Sequence, residues 1–104
     1  MNKKERIQRI ETNWRKYHVP NQKNSLLKKN AIHISTANSL KHELKKLEIC
    51  YELKKLGSEF ITEAEIRDSK PKRRVDIVDL SSGHEIEIEC NHSIKKQGAI
   101  TIYI

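Results

Sequence analysis

Glycine and proline are scarce in this 104-residue sequence, at three and two residues. Collagen-like and linker-like chains are excluded on that ground. Cysteine is equally rare: Cys50 and Cys90 form no disulfide framework and have no zinc-ligand spacing. Both sit in apolar patterns and read as small buried hydrophobes. Aromatic residues make up 5% of the chain. No apolar run approaches the roughly 20 residues of a membrane span, and the N-terminus lacks the apolar centre of a signal peptide. A soluble, intracellular protein is expected, folded as one domain over residues 1–104.

What the sequence has is charge. Charged residues are 34% against 36% hydrophobic, with a formal net charge of +7. The balance is uneven: residues 1–57 carry 14 Lys/Arg and 5 Asp/Glu, and residues 58–104 carry 7 and 9. A basic half beside an acidic half suits a partner rich in phosphate, although charge alone names none.

The acids concentrate in one stretch. Residues 74–80 and 85–90 alternate as strands, joined by a turn at Ser81, Ser82 and Gly83. Ile86, Ile88 and Cys90 take one side of the second strand, and Glu85, Glu87 and Glu89 the other. Val75 and Ile77 fall on the apolar side of the first, which leaves Asp76 opposite. Asp76, Glu87 and Glu89 are therefore expected on one face of one hairpin. Such a face is either a solvated sheet surface or a site for a hard divalent cation.

Two helices precede this hairpin. Ile7, Ile10, Trp14 and Tyr17 recur at helical spacing over residues 3–17, amid Lys3, Lys4, Arg6, Arg9, Arg15 and Lys16. Residues 18–36 read as loop and extended connection. A second helix spans residues 38–56, capped by Asn38 or Ser39 and stopped by Gly57. It has two apolar stripes. One holds Leu40, Leu44, Leu47 and Tyr51, and the nearly opposite one Ile49, Leu53 and Leu56. Burial on two sides is expected, between the sheet and either the first helix or a second subunit. Residues 60–66 form the first core strand, from which Glu63 or Glu65 would approach Asp76. Residues 99–104 are a β-rich fourth strand, expected as an antiparallel neighbour or a dimer edge. The fold class is α+β: an N-terminal helix, a central helix, then a small mostly antiparallel mixed sheet.

At Thr62-Glu63-Ala64, Arg74-Val75-Asp76 and Glu87-Ile88-Glu89 the chain resembles the PD-(D/E)XK nuclease superfamily. The likeness covers roughly residues 38–92. It is greatest to archaeal and archaeal-virus nuclease-like proteins and to relatives of Holliday-junction resolvases. Val75 stands where that family has Pro, and Glu89 where it has Lys. The resemblance implies a restriction-endonuclease-like core and Mg²⁺ or Mn²⁺ held by Asp76 and Glu87. It gives Glu89 a second cation or a water to orient. It also implies an acid from the preceding helix, with Glu43 and Glu48 both candidates. Lys95 or Lys96 would supply the missing positive charge, and Arg73 and Arg74 would receive a nucleic-acid backbone, DNA before RNA. Two-fold relatives and the apolar terminal strand add the expectation of a homodimer. His92 reads as a surface histidine. Three functions follow: a metal-dependent nuclease, a nucleic-acid-binding protein on the same scaffold without catalysis, or a protein-interaction module.

Overall fold

A computed structural model describes residues 2–19, 29–89 and 99–104. Helix α1 runs Lys3–Trp14, started by Asn2, whose side chain accepts from the Glu5 N–H at 2.8 Å. The helix expected through residue 17 stops three residues sooner. The Lys16 carbonyl accepts from the Arg67 N–H at 2.9 Å, and Tyr17–His18 form strand β1 against the edge of β2. Tyr17 thus enters the core from the sheet.

Helix α2 spans Leu40–Lys55. Of the two expected caps Ser39 serves, accepting from the His42 N–H at 3.1 Å. Gly57, at φ +77°, ends the helix: its N–H reaches the Lys54 carbonyl and the Ser58 N–H reaches the Leu53 carbonyl. That pair of bonds needs a residue with positive φ at this point, which glycine adopts at no steric cost.

Strands β2 (Phe60–Ile66), β3 (Arg74–Asp79), β4 (His84–Glu89) and β5 (Ile100–Tyr103) complete a five-stranded sheet in the order β1-β2-β3-β4-β5. The first four strands are antiparallel, and β5 pairs parallel to β4, with Ile86 against Ile100 and Ile88 against Ile102. Of the two placements the sequence suggests for the terminal strand, an antiparallel neighbour or a dimer edge, the first is corrected by this parallel pairing. Alternation in the sequence fixes which side chains share a face of a strand and not the direction in which the strand runs. The class is α+β with a mixed sheet.

Two apolar clusters cover opposite faces of the sheet. Ile10 and Trp14 of α1 pack with Tyr17, Ile61, Ala64, Val75, Val78 and Leu80. Ile49, Cys50 and Leu53 of α2 pack with Phe60, Ile77, Ile86, Ile88 and the β5 residue Ile102. Phe60 and Ile61, neighbours in sequence, divide between the clusters as strand alternation requires. The helices therefore lie on different faces, and α1 does not cover α2. Cys50 is buried, and burial pushes its thiol up to about 12. Among the described residues no helix is long and apolar enough to cross a membrane.

Candidate functional site

The strand alternation breaks at one place, and the site is built there. Val75 packs with the α1-side cluster and Ile77 with the α2-side cluster, although an unbroken strand would put both on one face. On β2, Ile61 and Ala64 face α1 while Thr62 and Glu63 turn toward α2. Glu63 has φ +50°, a left-handed conformation uncommon for a residue with a Cβ. The β2–β3 register passes from Thr62↔Ile77 to Ala64↔Val75 and leaves Glu63 opposite Asp76 without a pair. Both acids are turned out of the ladder toward α2.

Segment 30–35 and α2 wall the site. Thr62 Oγ1 donates to the Ala31 carbonyl and accepts from the His33 N–H, which ties the segment to β2. His42, Lys46 and Cys50 recur every four residues on the α2 face that meets the sheet, and all three are buried. Lys46 is completely buried. Its Nζ donates to Glu43 Oε2 at 2.7 Å, Glu63 Oε1 at 2.8 Å and the His33 carbonyl at 2.9 Å. Glu43 also accepts from the Ser35 N–H at 3.1 Å and from Asn38 Nδ2 at 2.9 Å. Burial alone would raise the Glu43 carboxyl. The donors around it, Lys46 foremost, hold it down at about 2. Burial would likewise lower Lys46, and its two carboxylate partners outweigh that and raise it.

His42 connects this group to Asp76. Its Nδ1 lies 2.8 Å from Glu43 Oε1 and its Nε2 3.4 Å from Asp76 Oδ2. Asp76 Oδ2 also accepts from the Ile88 N–H at 2.8 Å. The paired register of β3 and β4 ends at Ile77↔Ile86. Beyond it a side-chain carboxylate, rather than a backbone carbonyl, meets the next amide of β4. A cleft of about 530 Å³ opens at this parting, bordered by Asn38, His42, Glu63, Arg74, Asp76 and β4 residues Glu87 and Glu89.

Several sequence expectations need correction here. Asp76, Glu87 and Glu89 do not share a hairpin face. Ile86 and Ile88 fill the α2-side cluster, so β4 sends Glu85 and Glu87 the other way, while Asp76 is turned toward α2. Glu87 and Glu89 border the same cleft because the strands part beside them. Of the two helix acids, Glu43 belongs to the site. Glu48 is on the exposed side of α2, 3.2 Å from Lys45. Of the β2 acids, Glu63 is inside, and Glu65 pairs outside with Arg74 at 3.6 Å and Lys72 at 3.9 Å. Arg74 is at the cleft rim. Arg73 is not: it bonds Glu85 on the α1 side, where Glu85 also accepts from the Tyr17 hydroxyl at 2.7 Å. Burial first, and then Glu85, raise the Tyr17 hydroxyl above its ordinary value. Lys95, Lys96, His92 and Cys90 lie outside the described residues.

Sequence reasoning passed over His42 and Lys46. Their signal is the four-residue spacing with Cys50, a polar row between the two apolar stripes of α2. Among the described residues no three His, Cys, Asp or Glu side chains converge as a ready cation cage. Comparison of the chain with protein-family models, with curated proteins and with solved structures finds no match.

Proposed function

We propose that the β3–β4 cleft is a phosphodiester-hydrolysing site for nucleic acid, DNA in the first instance, of the PD-(D/E)XK kind. One observation carries this reading. The backbone leaves regular strand geometry at Glu63, and the side-chain alternation of β3 breaks at Asp76 opposite it, which turns Asp76 into a polar cleft with Arg74 at its rim. Such departures cost free energy and cluster at functional sites. The order of elements adds support. Glu43 stands on the helix before the first core strand, Asp76 on the second and Glu87-Ile88-Glu89 on the third, as the resemblance implies.

The cation that the resemblance implies is Mg²⁺ or Mn²⁺. The donor chemistry suits it, since such ions typically take one or two carboxylates and leave the remaining positions to water and phosphate. Asp76 and Glu87 lie on different faces of the hairpin but border one cleft where β3 and β4 part. Across that parting they would hold the cation, which would supply a nucleophilic water and neutralise charge developing on the phosphate. The chain's own residues do the rest. Arg74 binds an approaching phosphate at the rim. His42 orients Asp76 from one side and the Ile88 amide from the other. The Lys46 ion pairs fix Glu43 and Glu63, which keeps the α2 wall in register with β2. Two copies of the chain would bring two clefts to one duplex.

A specific observation favours the rival reading, a nucleic-acid-binding protein without catalysis. Lys46 already neutralises two of the acids, and Glu89 stands in place of a cleft lysine. Incubation with single-stranded, duplex and branched DNA and with RNA, with and without Mg²⁺ or Mn²⁺, separates the readings. Cation-dependent cleavage is expected, falling about 100-fold or more in Asp76→Asn. Salt-sensitive binding without cleavage would establish the rival, and absence of both would overturn the assignment.

A further inference from the structure

The apolar stripe of α2 formed by Leu40, Leu44, Leu47 and Tyr51 lies outside the core. Leu40 is 75% exposed, Leu44 55%, Leu47 49% and Tyr51 62%, and none belongs to either apolar cluster. Four large apolar side chains in one row are more than the scattered exposure of an ordinary surface. Their spacing is four, three, four, which is the repeat of a helix-pairing seam. One possible cover within the chain is removed by the fold, since α1 packs on the other face of the sheet.

We infer that this stripe is a self-association surface, on which the α2 helices of two copies pack antiparallel about a two-fold axis between Leu44 and Leu47. In that alignment Leu44 meets Leu47 of the second copy, and Leu40 meets its Tyr51. Shape agrees with this. A groove of about 440 Å³ runs beside the N-terminal half of α2, lined by Ile32, Ile34, Leu40, Leu44 and Leu47. Tyr51 lies beyond that groove on its own chain, and in the antiparallel pair it enters the groove of the other copy. Charge agrees as well. The flank of the stripe carries Lys41 and the half-buried Lys45 in the N-terminal half and Glu48, Glu52 and Lys55 in the C-terminal half. Within one chain Lys45 pairs with Glu48 and Lys55 with Glu52, and Lys41 has no such ion pair among the described residues. Antiparallel pairing sets Lys41 of each copy beside Glu48 and Glu52 of the other. A self-complementary patch of this kind is what a two-fold interface requires.

The surface is modest. Sixteen residues make a helix of about 24 Å, so the contact falls toward the small end of stable interfaces. The leucine row is on the side of α2 away from His42, while the groove beside it shares Ser35 and Asn38 with the cleft. The inference stands whether or not the cleft cuts nucleic acid.

Sedimentation equilibrium of the full chain tests it. At about 50 µM, suited to a small interface, the expected mass is twice the 12.2 kDa of one chain. Leu44→Lys and Leu47→Lys should each return it to one chain. Both side chains are half-exposed, so the circular dichroism spectrum and melting temperature of the monomer should be retained. Lys41→Glu alone, or Glu48→Lys alone, should weaken association roughly five- to tenfold, and mixing the two variants should restore it. A single-chain mass for the unmodified protein would overturn the inference, as would a dimer insensitive to both leucine substitutions. A dimer that needs the leucines but ignores Lys41→Glu would overturn the antiparallel alignment.

Discussion

Lys46 is the residue whose removal the fold should feel most. An ammonium group inside a protein is tolerated only when paired and fully hydrogen-bonded. Lys46 meets that condition with two carboxylates and a backbone carbonyl. Truncation to Met would leave Glu43 and Glu63 facing each other without their shared cation, at a cost of about 3–5 kcal/mol. The pH dependence follows from Glu43. Its folded value of about 2 lies below the ordinary 4.5. Its contribution is therefore complete above the ordinary value and is lost as pH falls from there toward about 2. The size is at most about 3 kcal/mol. Urea denaturation between pH 2 and pH 7 should show stability declining through this window. In Lys46→Met, which lacks the donor that does most to hold Glu43 down, that decline should be largely gone. An unchanged acid limb in the variant would show that other carboxylates produce it.

At the scale of elements, the hairpin β3–β4 depends on how its turn meets α1. Gly83 has φ +84°, and its N–H reaches the Asp79 carbonyl at 2.7 Å. A Cβ there would lie 3.2 Å from the side chain of Asn13, which is buried and donates to the Leu80 carbonyl at 2.7 Å. Gly83→Ala thus combines left-handed backbone strain with crowding of a buried hydrogen bond. The expected cost is about 1–3 kcal/mol, read as a drop in melting temperature. The same element shows what was legible in sequence. Strands, turn and helix caps followed local rules, because periodicity and capping are properties of neighbours in the chain. The direction of Asp76 did not, because Glu63 and Asp76 leave the strand period together, drawn by Lys46 and His42, partners that stand at least 17 positions away in sequence.

At the scale of the whole molecule, the +7 charge is the feature most open to test. On the proposed function, Arg74 at the cleft rim contacts phosphate, while Arg73 is held by Glu85. Binding to DNA should therefore weaken steeply with salt. A plot of log affinity against log salt should have a slope near −0.9 per phosphate contacted. Arg74→Ala should lower that slope by about one, and Arg73→Ala should leave it nearly unchanged. Fluorescence anisotropy over a salt series measures both, and equal effects of the two substitutions would refute the distinction.

The α+β class, the two helices, the four strands that follow the second helix and the capping of that helix were determined by sequence alone, since each rests on local periodicity, turn chemistry or composition. The short strand β1, read as helix and loop, was not. Tertiary structure decided which acids belong together. It chose Glu43 over Glu48 and Glu63 over Glu65, and it withdrew Arg73 to Glu85. It also set β5 parallel to β4. It buried the polar row of His42 and Lys46 and left the leucine row of the same helix exposed. The physical reason is that a side chain's role depends on what faces it. Sequence gives the face of a helix or strand, and only packing decides whether that face meets a carboxylate, a second sheet strand or another copy of the chain.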